Sequence, residues 1–321
     1  METHDFMWRY WLRPLTGLTR SLEAKFFDLE RFAGKATMSD FGCGDGIFSS
    51  LAVGRGSVDS ELDPYINIAP SHESAVVDVQ GRVDVFLPGT NHEHLGHKFD
   101  WGAHKDLNQD AGGPWTLGLD HKSDLLNRAS ITGSFSRLRL ANLDSPSELF
   151  QQDELFDVVF SNALYWAGDP SAVLREIGNH QVSGAHLSLC LALPQYSAGL
   201  IANTLPHREL EKVLDQGRST HVSVLWDRSR WLNEIEAAGY EVVRSQFHIG
   251  RELASASEWL DLREFYPYIA RLEKGLPKGV AKEVRRDWVN HLMQLVAAAD
   301  QDGLLDPPDS GAYLLVEASK R

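Results

Sequence analysis

The chain has 321 residues, 43% of them hydrophobic and 24% charged, which suits a soluble globular protein with a substantial core. Its net charge of −14 argues against a nucleic-acid or anionic-membrane partner, which would require clustered Lys and Arg. Two cysteines, Cys43 and Cys190, give no disulfide framework, and no long apolar run follows the acidic N-terminus. We therefore expect a cytoplasmic protein with neither signal peptide nor membrane span.

Residues 1–34 read as a helical segment. Trp8, Trp11, Leu12, Leu15 and Leu18 form one apolar face, and Leu22, Phe26, Phe27, Leu29 and Phe32 another. Next comes Ala-Thr-Met-Ser-Asp-Phe-Gly-Cys-Gly-Asp-Gly-Ile-Phe-Ser-Ser-Leu-Ala, residues 36–52. A buried strand reaches Asp40, and glycines stand at 42, 44 and 46. A helix then follows with Phe48, Leu51 and Ala52 on one side. Glycines at this spacing bring bare backbone against a ligand, and a helix start offers N–H groups. A dinucleotide fingerprint would need glycine where Ile47 stands, which disfavours a nicotinamide-dependent oxidoreductase. A phosphate-binding loop would need a lysine that is missing.

The pattern acidic-x-G-x-G-x-G resembles the first motif of class I S-adenosylmethionine-dependent methyltransferases, complete at Asp40, Gly42, Gly44 and Gly46. The resemblance implies S-adenosylmethionine as cofactor, a Rossmann-like α/β fold with a seven-stranded, mostly parallel sheet, and helices on both faces. It places the cofactor at Asp40, Gly42, Gly44, Asp45 and Gly46. A leading helical segment often lies over the cofactor in that family, so Tyr10, Arg13 and Arg20 are candidates for its carboxylate.

Residues 54–114 break the rhythm with ten acidic against four basic residues and five histidines. They read as an insertion with a short strand at Arg82–Leu87 and a role at the acceptor site. His92, His94 and His97 lack a cysteine pair and read as loop histidines, so no metal is implied. Order returns with a strand ending at Asp120 and a helix, Asp124–Ala129, capped by Ser123. One carboxylate can accept both vicinal ribose hydroxyls. The resemblance gives that task to an acid at this strand tip, and Asp120 is the candidate. Asp63 is the rival, seventeen residues after Gly46 and near the spacing of related units.

Residues 136–143 read as the third strand. The family's adenine contact falls just beyond it, on Asn142 with the Leu143 N–H, or on Asp144. Phe156–Phe160 is a buried strand running into Ser161-Asn162, and Phe-Asp-Val-Val-Phe-Ser-Asn resembles the family's fourth motif. A glutamate-histidine pair often follows there; this chain has Tyr165 and Trp166. Tyr165, His121 and His94 remain candidate bases, none fixed near an acceptor. A strand at 185–193 follows, with only Gly184 of the usual turn before it.

Beyond Pro194 we expect helices at 205–214 and 231–238, a strand at 240–247, helices at 259–272 and 283–299, and a last strand at 311–318. The core is thus 35–53 with 115–193, the C-terminal strand and helical cap 194–310, and the final core strand 311–321. The resemblance implies methyl transfer by in-line displacement to a small-molecule acceptor. The altered residues after Asn162 keep open a non-catalytic relative that binds the cofactor for assembly or regulation.

Overall fold

The computed structural model describes residues 14–54, 76–77, 83–84, 106–108, 113–131, 133–199, 225–250, 253–254, 275–301, 307 and 309–321. The expected helices at 205–214 and 259–272, Tyr10, Arg13, Asp63 and the histidines 92, 94 and 97 lie outside these residues.

The central sheet runs β4-β6-β5-β1-β7-β8-β10-β9. Its strands are β1 (Met38–Phe41), β4 (Asp106–Asn108), β5 (Trp115–Asp120), β6 (Phe135–Leu140), β7 (Phe156–Ser161), β8 (Gln181–Ala192), β9 (Tyr240–His248) and β10 (Tyr313–Lys320). From β6 to β8 the strands are parallel. β10 lies antiparallel between β8 and β9. These are the seven strands expected. The eighth, β4, corrects the count: the insertion returns to the sheet and pairs antiparallel with β6, Asp106 opposite Arg139. A separate antiparallel pair, β2 (Val76–Val77) and β3 (Val83–Asp84), falls within the insertion, its second strand inside the predicted 82–87.

Two apolar layers hold the sheet. On one face Phe27, Leu126, Ala129, Phe135 and Phe160 belong to a core that joins α1 (Pro14–Phe27), α2 (Ile47–Ala52) and α3 (Ser123–Ile131). On the other, Val173, Leu174 and Ile177 of α4 (Pro170–Asn179) pack with Trp231 and Ile235. Those two come from a later helix, Arg228–Ala237, which Gly239 ends at φ 90° before β9. Asp169 caps α4 by accepting from the Ala172 N–H at 3.0 Å. Ser123 stands inside its helix, whose Leu125 and Leu126 N–H groups turn to the Lys122 carbonyl, so the expected cap lies one residue earlier. β8 begins at Gln181, four residues before its prediction, because Gly184 at φ 83° lets the chain kink without leaving the sheet.

The strand order reverses between β1 and β7, which pair in one parallel ladder. In an open α/β sheet a ligand lies outside the strands' carboxyl ends at such a switch point. Asp40, Asp120 and Asn162 all stand at those ends.

Candidate functional site

The glycine turn is built by three separate constraints. A side chain at Gly42 would run into the Ala163 methyl group. At Gly46 a Cβ would meet Phe135 at 2.9 Å and Ala129 at 3.1 Å, so this glycine lets the turn close on α3 and β6. Gly44, at φ 59°, has nothing within 4 Å of its absent Cβ. The first and third glycines thus serve packing; the second opens on empty space.

Five backbone donors of the turn are engaged within the fold. Gly42 and Cys43 donate to the Leu119 carbonyl at 2.8 and 3.0 Å, and Gly46 to Cys43 at 3.0 Å. Gly44 donates to Asp120 Oδ2 at 3.0 Å, and Ile47 to Asp45 Oδ1 at 3.2 Å. Asp45 therefore caps α2, which is only six residues long. At Ile47 this departs from the expectation that the helix start would present its N–H groups. A turn whose donors point inward is a poor cradle for phosphate, which agrees with the missing lysine.

Asp40 is 2% exposed. Ser49 of α2 donates to Oδ2, while Oδ1 has no hydrogen-bond partner among the described residues. Burial pushes this carboxyl up to about 7, with Asp120 adding to the rise and Ser49 and Arg20 opposing it. Such an oxygen calls for a donor or a cation from outside the protein fold. At the tip of β5, Asp120 accepts from Gly44 on one oxygen and from the Lys122 N–H at 2.9 Å on the other. Each oxygen keeps a further lone pair, enough for two hydroxyl donors.

The other predicted residues divide. Asn142 lies past the end of β6, and its Oδ1 accepts from the Asp144 N–H at 3.1 Å in a local turn. The expected two-sided amide pairing with adenine is therefore reduced to its NH₂ group and the remaining lone pair. Leu143 is half-buried against the α4-side core, and Asp144 instead accepts from the Gly168 N–H at 2.7 Å, tying two loops together. Ser161 is buried, donates to the Phe41 carbonyl at 2.9 Å and accepts from the Ala163 N–H at 3.1 Å. Its hydroxyl closes the β1–β7 switch point, which corrects its assignment as a direct ligand contact.

Asn162, the next residue, reaches the first helix. Its Nδ2 donates to Glu23 Oε2 at 3.1 Å, and Arg20 donates to the same oxygen at 2.6 Å. The sequence points to Arg20 but not to Glu23. Glu23 sits beside the buried Ala24 and Phe27, but its own burial depends on donors that come from distant strands. Tyr165, in the short turn Leu164–Trp166, packs toward Tyr196, Ala192 and Tyr313 at the ends of β8 and β10. Burial pushes its phenol well above the ordinary range, reinforced by Tyr196, so it keeps its proton at neutral pH. This counts against Tyr165 as a general base. His121 stands 3.6 Å from Asp120, at the β5 tip. Among the described residues no three metal-ligating side chains converge.

No family model and no curated protein matches this chain. Solved structures do. A SAM-dependent methyltransferase, possible histamine N-methyltransferase, from Thermotoga maritima is 10% identical, with all of both chains covered and a TM-score of 0.47. An S-adenosylmethionine-dependent methyltransferase from Mesorhizobium loti is 16% identical over 92% of this chain and 98% of that one, with a TM-score of 0.42. A TehB-like SAM-dependent methyltransferase from Corynebacterium glutamicum is 12% identical over 93% and 87%, with a TM-score of 0.40. The likeness is one of fold.

Proposed function

We propose that the protein binds S-adenosylmethionine across the tips of β5, β1 and β7 and transfers its methyl group to a small-molecule acceptor. One observation carries this reading: the unpartnered, buried Oδ1 of Asp40 stands beside a bare Gly44 and the doubly anchored Asp120. The donor set suits a cationic nucleoside. Asp120 would hold the ribose hydroxyls, the space at Gly44 would admit the ligand against main chain, and Asp40 would face positive charge. Asn142 would border the adenine, with the Leu143 N–H beside it.

When bound, the cofactor supplies a methyl carbon on a sulfonium, open to in-line displacement. The chain's contribution is to orient and to exclude water, and alignment at about 3–3.5 Å accounts for much of the acceleration in such reactions. Tyr165 and Cys190 are both held protonated, each chiefly by burial. This supports an acceptor that is nucleophilic without a strong protein base.

Calorimetric titration with S-adenosylhomocysteine tests the binding half; saturable heat is expected, and neither heat nor thermal shift at millimolar ligand would sink the reading. Incubation with methyl-labelled cofactor and fractionated metabolites tests the transfer. The second reading, a non-catalytic binder, is favoured by the absence of an evident base among the described residues of the acceptor edge. Tight binding with no label transferred would establish it.

A further inference from the structure

Glu23 is a buried carboxylate, 2% exposed, on a helix face otherwise closed by Ala24 and Phe27. Burying a carboxylate is costly unless it is paired and hydrogen-bonded, and an apolar residue would fill the place more cheaply. Glu23 instead gathers three donors from three elements: Arg20 on α1 at 2.6 Å, Asn162 beyond β7 at 3.1 Å, and the Cys190 thiol of β8 at 3.4 Å.

Two consequences follow for its partners. A carboxylate only accepts, so the Asn162 amide must turn its NH₂ toward Glu23 and its carbonyl oxygen away. Arg20 is held near the β1 tip. Its guanidinium lies 5.7 Å from the centre of the Phe48 ring on α2, and its charge draws down the Asp40 carboxyl. One anchor thus holds a cation whose charge reaches Asp40 and turns the Asn162 carbonyl oxygen away from Glu23, while Asp40 keeps an unpartnered oxygen. That set complements a zwitterionic α-amino acid. Carboxylate would go to Arg20, and ammonium to the Asn162 oxygen and Asp40.

We propose that Glu23 is a positioning residue for the amino-acid tail of the cofactor, aiming Arg20 and Asn162 at its two charges without touching it. The inference rests on the cofactor reading above.

The test compares S-adenosylhomocysteine with 5′-methylthioadenosine, which keeps the nucleoside and sulfur but lacks the tail. Both are titrated calorimetrically into the wild-type chain, Glu23→Gln and Glu23→Ala. The wild type is expected to prefer S-adenosylhomocysteine. Glu23→Ala should weaken that ligand at least tenfold and leave methylthioadenosine within twofold. Glu23→Gln, which keeps an acceptor for Asn162 but no ion pair for Arg20, should fall between. Equal weakening of both ligands, or no change in either, overturns the proposal and leaves Glu23 a packing contact. If Glu23→Ala does not unfold cooperatively, Glu23→Gln decides: a threefold loss of preference supports the proposal and an unchanged ratio overturns it. A wild-type chain that binds neither ligand overturns the cofactor reading itself, a result distinct from any change in preference.

Discussion

The Gly44 N–H donates to Asp120 Oδ2 across 3.0 Å, joining the middle of the glycine turn to the tip of the neighbouring strand. This bond sets the carboxylate's orientation and removes a donor that a phosphate would otherwise use. With the Gly42 and Cys43 bonds to the Leu119 carbonyl, it ties the glycine turn to the end of β5.

Asp120→Asn is expected to weaken S-adenosylhomocysteine and methylthioadenosine alike, since both carry the ribose. Hydrogen bonds to a charged group contribute about 1.5–3 kcal/mol, so a loss of roughly 10–100-fold is expected in calorimetry. A loss confined to S-adenosylhomocysteine would contradict the ribose assignment.

The glycines should separate folding from binding. Gly42→Ala places a methyl group into Ala163 at a positive φ and should cost several kcal/mol, about the upper range of single substitutions. Gly44→Ala meets no atom and carries only the left-handed backbone penalty of about 1–2 kcal/mol. We expect Gly42→Ala to lower Tm sharply, and Gly44→Ala to lower it little while abolishing ligand heat.

Asp40 predicts two pH dependences. Its carboxyl is raised in the folded chain, from 3.8 to about 7, so its contribution to stability is fully present below 3.8 and is lost as pH rises toward 7. Binding a cation requires the ionised form, so affinity for S-adenosylmethionine should rise with pH up to about 7 and then level. Asp40→Asn should flatten both profiles in urea unfolding and calorimetry. Persistence of the affinity profile in that variant would remove Asp40 from the site.

Glu154 predicts the opposite limb. Burial pushes its carboxyl up, but hydrogen bonds from Arg139, the Gln151 N–H and Arg137 outweigh that and bring it from 4.5 to about 2. Its stabilisation is present above 4.5 and is lost as pH falls toward 2. Arg139 is 3% exposed and donates to both Glu154 oxygens, at 2.7 and 2.9 Å. Glu154→Ala strands that cation, and urea unfolding at pH 7 should show a loss of about 3–5 kcal/mol.

The strand-turn-helix at 38–52 was legible because apolar run, alternate glycines and helical spacing each mark a boundary. β5 and β7 were legible as short apolar runs ending in polar residues. Other features depend on neighbours that local patterns do not encode. Asp106-Leu107-Asn108 has little strand character and pairs because β6 offers an open edge. Glu23 reads locally as a solvated helix charge, and only the Asn162 and Cys190 donors explain its burial. Ser161 reads as a ligand contact at a strand tip, whereas its hydroxyl is engaged by two backbone groups. Asp45 likewise reads as part of the cradle and caps the helix.

The antiparallel pairing of β4 on β6 bears on how the chain can be shortened. Excising the whole of residues 55–112 would strip β6 of its outer partner and leave a bare rim able to recruit a strand from another molecule. A trimmed protein that stays dispersed should therefore retain Asp106–Asn108, however much of the preceding segment is discarded.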